Sequence, residues 1–148
     1  MFQSTVKPVE SKGKKAINRD GWAFYDRWCA KCVGRHEGKR PRVSIQAFKD
    51  DQGNCRTVFI DLIRIHFKTK NPGDTARRLR LLPCVFDLLE NSEDVPIAIK
   101  DKAGKSYALK GMTPDGEKFI VVIQEKKDRL SLLTFYPATN KKTFALSD

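Results

Sequence analysis

The chain has 148 residues, which is enough for about one domain with its own core. Hydrophobic residues make up 40% and charged residues 32%, a composition that excludes an intrinsically disordered chain. The formal net charge is +11 and the sequence pI is near 9.7. Such a field attracts polyanions, which include nucleic acid, anionic membrane surfaces and acidic proteins.

The positive charge is concentrated in residues 1–80, which hold 19 Lys and Arg against 8 Asp and Glu. Phosphate contacts are therefore expected mainly there. No apolar run approaches the roughly 20 residues that cross a bilayer. The stretch from Met1 to Asp20 is polar and Lys-rich and lacks a signal-peptide core. We therefore expect a cytoplasmic protein, of the host or of a target cell, with no membrane partner.

The N-terminal third predicts a flexible basic arm over residues 1–17, followed by one α+β domain over residues 18–148. Residues 18–42 form a helix and a basic loop in this interpretation. The helix begins at Asn18 or Asp20 and ends near Val33. Its apolar face is defined by spacings of three and four residues and consists of Trp22, Tyr25, Cys29 and Cys32.

The middle of the chain predicts a hairpin of residues 43–48 and 55–60 around a turn. Residues 62–70 fit either a strand or a helix, and their spacing favours a short helix. Asp74 is expected to cap a helix over residues 75–90, which Pro83 would divide into two pieces.

The C-terminal third shows short alternating runs separated by brief turns, the pattern of a β-meander. Its strands are expected at residues 96–100, 106–110, 118–124 and 129–136, with a short edge strand at 142–146. The fold class is therefore α+β, with N-terminal helices packed on a four- to five-stranded antiparallel β-meander.

His66 lies in the densest mixture of a titratable group and cations. Cutting RNA without a metal requires a base for the 2′-OH, an acid for the leaving oxygen and cations around the phosphorane. Lys68 and Lys70 follow His66 directly, and Arg77, Arg78 and Arg80 come after a Pro-Gly break. The same pattern also fits a core-edge histidine beside a solvated basic turn.

The last clear strand places Thr134 and Tyr136 on one face, where a hydroxyl and a ring suit a phosphate and a base. A strand with one wet face gives the same pattern. Tyr107 and Lys110, on a neighbouring strand, line the same face only if the register allows it.

A zinc site is the alternative use of the cysteines. Cys29 and Cys32 have the spacing of a ligand pair, and His36 or Cys55 would complete it, but a matching second pair is missing. Both cysteines also fit the buried helix face as small hydrophobic residues. His36 is alternatively a second acid–base group or an ordinary loop histidine. We expect no cofactor.

The run from Arg77 to Asp94, followed by strands that end in Leu132-Leu133-Thr134-Phe135-Tyr136-Pro137, resembles phage and mobile-element members of the barnase–EndoU–colicin–RelE-like nuclease superfamily. The resemblance covers residues 58–136 and implies a metal-independent ribonuclease with helices packed on an antiparallel sheet. It also implies toxin action on tRNA or other RNA, and neutralisation by an acidic immunity or antitoxin protein. The residues that match the family's site are His66, Lys68, Lys70, Thr134 and Tyr136.

The sequence therefore favours a toxin-type RNA endonuclease that leaves a cyclic phosphate. His66 would be the base or acid, Lys68 and Lys70 would stabilise the phosphorane, Thr134 would hold a phosphate oxygen, and Tyr136 would stack on a base. The expected nucleic-acid contacts are Arg35, Lys39, Arg40, Arg42, Arg77, Arg78, Arg80, Tyr107 and Lys110. The rival functions are a non-catalytic nucleic-acid-binding protein, such as a phage regulator or inhibitor, and a small zinc-stabilised adaptor for acidic partners.

Overall fold

The computed structural model describes residues 1–36, 40–101 and 104–138, with the side chains of residues 32–36, 100 and 101 left aside. Its elements are β1 (Phe2–Gln3), α1 (Lys14–His36), β2 (Arg42–Lys49), β3 (Cys55–Phe59), α2 (Leu62–Phe67), α3 (Pro72–Leu79), α4 (Leu82–Asn91), β4 (Ile97–Asp101), β5 (Gly104–Met112), β6 (Lys118–Lys126) and β7 (Arg129–Pro137). The α+β class is confirmed.

The strands of the described ranges form one sheet of seven, in the order β1-β5-β6-β7-β3-β2, with β4 also pairing with β5. We expected four or five strands, because the β2–β3 hairpin was not assigned to the meander's sheet. The structure joins it there through a parallel pairing of β3 with β7. The sheet is therefore mostly antiparallel, with parallel pairs at β1–β5 and β3–β7.

The C-terminal meander from β4 to β7 is confirmed strand by strand. The turn between β6 and β7 places Lys127 and Asp128 at positive φ, 49° and 63°. Two successive left-handed residues give a tight turn whose twist matches that of the flanking strands. The edge strand expected at residues 142–146 lies outside the described residues.

The sheet curls around α4. Phe48 on β2 lies with its ring 5.2 Å from that of Tyr107 on β5, although three strands separate β2 from β5 in the sheet. In a flat sheet those strands would stand about 19 Å apart at ~4.8 Å per step. Most α4 side chains are fully buried, and the Phe86 ring stacks on that of Trp28 at 4.6 Å. The concave face thus holds the main core.

Residues 72–91 form two helices, as the position of Pro83 indicated. Pro83 lies in the first turn of α4, where a missing amide hydrogen leaves no helical bond unmade. The prediction that Asp74 caps this helix is wrong. Asn71 caps α3 instead, because its side-chain oxygen accepts from the Asp74 amide at 2.8 Å. The Asp74 carboxylate pairs with arginines one turn later in the same helix.

Helix α1 runs from Lys14 to His36, so it begins before either expected start, Asn18 or Asp20, and ends beyond Val33. At 23 residues it is the longest helix of the described ranges. Its predicted apolar face is confirmed at Trp22, Tyr25 and Cys29, which contact the core, and the Tyr25 hydroxyl donates to the Ile60 carbonyl at 2.7 Å. The Cys32 side chain lies outside the described part. Within the described ranges no helix has both the length and the apolar character that a bilayer crossing requires.

The first nine residues are attached to the domain, whereas we expected a flexible arm. Phe2 and Gln3 pair with β5, and the buried Ser4 hydroxyl donates to the Asp87 carboxylate at 2.7 Å. The Val9 amide donates to the Arg80 carbonyl at 2.9 Å. The attachment depends on backbone bonds, on polar side chains and on one apolar ring, that of Phe2, packed on the core, which together leave no hydrophobic periodicity in the sequence.

Gly111 of β5 lies where α4 packs closely against the sheet. A Cβ at this position would lie 2.4 Å from the Phe119 ring and 2.9 Å from Leu88, both fully buried. We expect Gly111→Ala to lower the free energy of unfolding by about 1–3 kcal/mol, because the core must shift to admit a methyl group. Gly73→Ala is the matched control, since its Cβ would meet only Asn71 at 3.5 Å. Urea denaturation measures both, and equal stability of the two variants would contradict the packing described here.

Candidate active site

Helix α2 lies beside the edge of β7 that does not pair with β6. Strand β3 pairs with β7 only at Leu130 and Ser131. Beyond that point α2 and α3 pack along β7, and the Phe67 ring of α2 lies 5.3 Å from that of Phe135. Phe67 is buried, whereas His66 is half-buried at the rim. The fold therefore places His66 next to the C-terminal half of β7.

Arg78 of α3 spans this edge. Its Nη1 donates to Thr134 Oγ1 at 2.9 Å and to the Phe135 carbonyl at 3.3 Å, and its Nε donates to Asp74 at 3.2 Å. Its guanidinium carbon lies 5.5 Å from the centre of the Tyr136 ring. The Arg78 side chain is only 15% exposed. It is therefore a fixed cation that touches both strand residues predicted for the site.

The pKa of His66 is lowered from its usual value of 6.5, first by burial and then by the positive charges of Lys70 and Arg78. Burial and like-signed neighbours both disfavour the imidazolium form. His66 is therefore neutral near pH 7, the form that can accept a proton. No side chain among the described residues forms a hydrogen bond with its ring nitrogens.

Thr134 and Tyr136 lie on the outer face of the sheet, opposite the helices. Phe135, between them, belongs to the main core, whereas Tyr136 packs on a smaller outer cluster with Ile120 and Val122. In the ladder Ile120 stands between Tyr136 and Lys110. The predicted alternation at residues 134–136 is confirmed, and Lys110 shares the outer face with Tyr136.

Tyr107 lies on the concave face, because it is an odd number of residues away from Lys110 along the same strand. Its hydroxyl donates to Glu125 at 3.2 Å, and the Phe48 ring covers it. Strand β6 also separates β5 from β7. The register therefore does not bring Tyr107 to Thr134 and Tyr136, and the expected nucleic-acid contact is not supported at this residue.

The structure divides the predicted cations into two groups. The positive charges of Lys70 and Arg78 act on His66 and lower its pKa, whereas Lys68 is exposed and lies about 200° around the helix from it, at ~100° per residue. Arg80 forms an ion pair with Glu117, which follows the β5–β6 turn, so it stabilises the fold away from His66. Arg77 is exposed and pairs with Asp74 at 2.9 Å.

Arg40 and Arg42 border an open cleft of about 760 Å³ between β2, β3 and the β6–β7 turn. Two other residues that line this cleft, Phe59 and Arg129, were not predicted as site residues from the sequence. Strand alternation signals Phe59, because the neighbouring Val58 is buried in the core. The Arg35 side chain and all of Lys39 lie outside the described residues.

The zinc hypothesis stays untested. Cys29 packs against the core from α1, and Cys55 lies on β3 with its sulfur 3.3 Å from Lys49 Nζ. Neither forms a disulfide with another described residue. Across the described residues no three His, Cys, Asp or Glu side chains are grouped as metal ligands. Cys32 and His36 have side chains outside that part of the chain.

Comparisons of the chain with family models, with curated protein sequences and with solved structures find no match. Arg78 is the residue that links the predicted groups: it contacts Thr134 and Tyr136, and its charge, with that of Lys70, acts on His66 of α2.

The environment of His66 can be measured without knowing the substrate. We expect its pKa, followed by NMR of the imidazole protons, to lie below 6.5, and Arg78→Gln to raise it because a nearby positive charge is removed. Arg77→Gln is the matched control, since Arg77 does not contribute to the shift. The chain has two histidines, so His66→Ala assigns the signals. A pKa that Arg78→Gln leaves unchanged would contradict the proximity.

Proposed function

We propose that the protein is a metal-independent RNA endonuclease that cleaves by attack of the 2′-OH and leaves a 2′,3′-cyclic phosphate. The observation that carries the proposal is the position of Arg78. It contacts Thr134 and the Tyr136 ring, and its charge helps to keep His66 neutral. A base, a fixed cation and a strand hydroxyl at one edge are the groups that this reaction uses.

In the proposed reaction the neutral imidazole of His66 removes the proton of the 2′-OH. The 2′-oxygen then attacks phosphorus, and the bond from phosphorus to the 5′-oxygen breaks. The Tyr136 phenol has its pKa raised by burial, against a smaller opposing effect of Arg78. It therefore keeps its proton near neutral pH, so it can donate to the leaving oxygen as well as present its ring to a base.

Arg78 and Lys70 supply positive charge where the phosphorane develops negative charge. Arg78 is fixed in advance by Asp74, Thr134 and the Phe135 carbonyl, so little reorganisation is needed when the charge appears. A phosphate oxygen would take over part of the hydrogen bonding that Arg78 now directs to Thr134, which frees the Thr134 hydroxyl to hold a second oxygen. Lys68 has no role in this scheme.

We expect purified protein to cut tRNA or total RNA in the presence of EDTA and to leave cyclic-phosphate ends. His66→Ala should lower the cleavage rate about 10²–10⁴-fold, the usual contribution of a general base. Lys68→Ala is the matched control, at the C-cap of the same helix, and should retain activity. Intact RNA with the unaltered protein would refute the proposal, and so would equal loss in both variants. Salt-sensitive binding without cleavage would instead favour the non-catalytic nucleic-acid-binding function.

The toxin role and the acidic immunity or antitoxin partner belong to the same proposal. They are supported by the net charge of +11, which attracts an acidic protein as it attracts RNA. A cytoplasmic site of action follows from the RNA substrate. Expression in bacteria should slow growth, and His66→Ala should relieve the effect while leaving protein abundance unchanged. Growth inhibition that His66→Ala does not relieve would separate toxicity from the proposed chemistry.

A further inference from the structure

The cleft bordered by Arg40 and Arg42 continues into a second one. The first has a volume of about 760 Å³, and the second, of about 490 Å³, shares Arg40 and Arg129 with it. Leu62 of α2 lines the second cleft. His66 follows Leu62 by one helical turn, on the same side of α2. The two clefts together therefore form a groove, called here the outer groove, that leads toward the candidate active site.

The outer groove is rich in cations. Arg129, Lys126 and Lys127 line it from the β6–β7 turn. Arg42 has its Nε buried without a hydrogen-bond partner in the described structure. An unsatisfied donor on a charged group costs free energy, so an anionic ligand at this position would be stabilising. Two acidic residues, Asp50 and Asp128, also line the outer groove, and Asp50 Oδ1 accepts from two amides of its own turn, at 2.9 Å and 2.8 Å.

Phe59 gives the outer groove an aromatic platform. Its side chain lies opposite Arg42 in the β2–β3 ladder, and the guanidinium carbons of Arg40 and Arg42 lie 4.4 Å and 5.3 Å from its ring centre. Asp61 holds Arg40 in place through hydrogen bonds of 2.7 Å and 2.8 Å. Aromatic rings and arginine planes are the surfaces on which unpaired bases stack.

We propose that the outer groove binds single-stranded RNA next to the cleaved bond, with Arg42 and Arg129 on phosphates and a base stacked at Phe59 and Arg40. The link to cleavage rests on the proposed function, whereas the binding itself does not. A paired base cannot leave its stack to reach a ring inside a cleft, so a duplex would use only the charges. Thr57 and Ser131 add hydroxyl donors along the path.

The binding test uses His66→Ala protein, which leaves RNA intact, and a single-stranded oligonucleotide of about ten residues, the size range of one single-strand-binding fold. We expect Arg42→Ala and Arg129→Ala each to weaken binding and to reduce the slope of log K against log salt by about 0.7. Phe59→Leu should weaken binding about tenfold with no change in slope, since stacking carries no charge. It should leave duplex binding unchanged.

Arg19→Ala is the matched charge control, because Arg19 is exposed on α1 and pairs only with its neighbour Asp20 among the described residues. Thermal unfolding of each variant checks that the fold is intact, and Arg129 lies at an exposed turn where truncation leaves the core untouched. Binding by the groove variants that equals binding by the Arg19→Ala protein would overturn the proposal. Preferential binding of polyglutamate over RNA would overturn it as well.

A cleavage experiment distinguishes failure of the nuclease proposal from failure of the groove proposal. With His66 present, a dinucleotide that contains only the scissile bond should be cut equally by unaltered protein and by Phe59→Leu, while the longer oligonucleotide should show about a tenfold higher KM in the variant. Absence of any cleavage refutes the nuclease proposal. The binding experiment then tests the outer groove on its own. Cleavage of both substrates that Phe59→Leu does not affect refutes the groove and leaves the nuclease intact.

Discussion

Arg78 donates hydrogen bonds to Thr134 and to the Phe135 carbonyl, in the part of β7 that pairs with β6 but lies beyond the short pairing with β3. Buried backbone carbonyls need a partner, and here a side chain takes the place of a ladder bond. The charge of the same guanidinium adds to burial and to the charge of Lys70 in lowering the pKa of His66. Structural support of the sheet edge and the electrostatics of the candidate site therefore depend on one side chain. A substitution of Arg78 cannot alter one without altering the other.

Local periodicity predicted the parts of the fold that local sequence determines. The meander from β4 to β7, the β2–β3 hairpin and the short helix α2 all follow from alternation and spacing within a few residues. Thr134 and Tyr136 share a face for the same reason. His66 and Arg78 lie on separate helices, and their proximity comes from the packing of α2 and α3 along β7, which no local pattern encodes.

Long-range pairing was not predictable in the same way. The attachment of β1 to β5 joins residues more than a hundred positions apart through two residue pairs, too few to leave a pattern. Closeness along the chain was also a poor guide to which cations act on His66. Lys68 is closer to His66 along the chain than Arg78 is, yet helical geometry turns it away, and Arg80 is taken by Glu117. Phe59 was overlooked because an outward aromatic on a short strand looks like ordinary strand composition.

The sheet is joined by a short pairing between β3 and β7, called here the seam. Two residue pairs, Val58 with Leu130 and Phe59 with Ser131, join the β2–β3 hairpin to the meander. Segments held by few backbone bonds open at a lower free-energy cost than long ladders. The outer groove crosses this seam. Phe59 lines the side formed by β3, and Arg129 lines the side formed by β7. A polymer bound to both sides of the groove would link the hairpin to the meander. Its binding free energy would then add to the stability of the junction between them. Ligand binding in the outer groove would thereby be coupled to the stability of the β3–β7 junction.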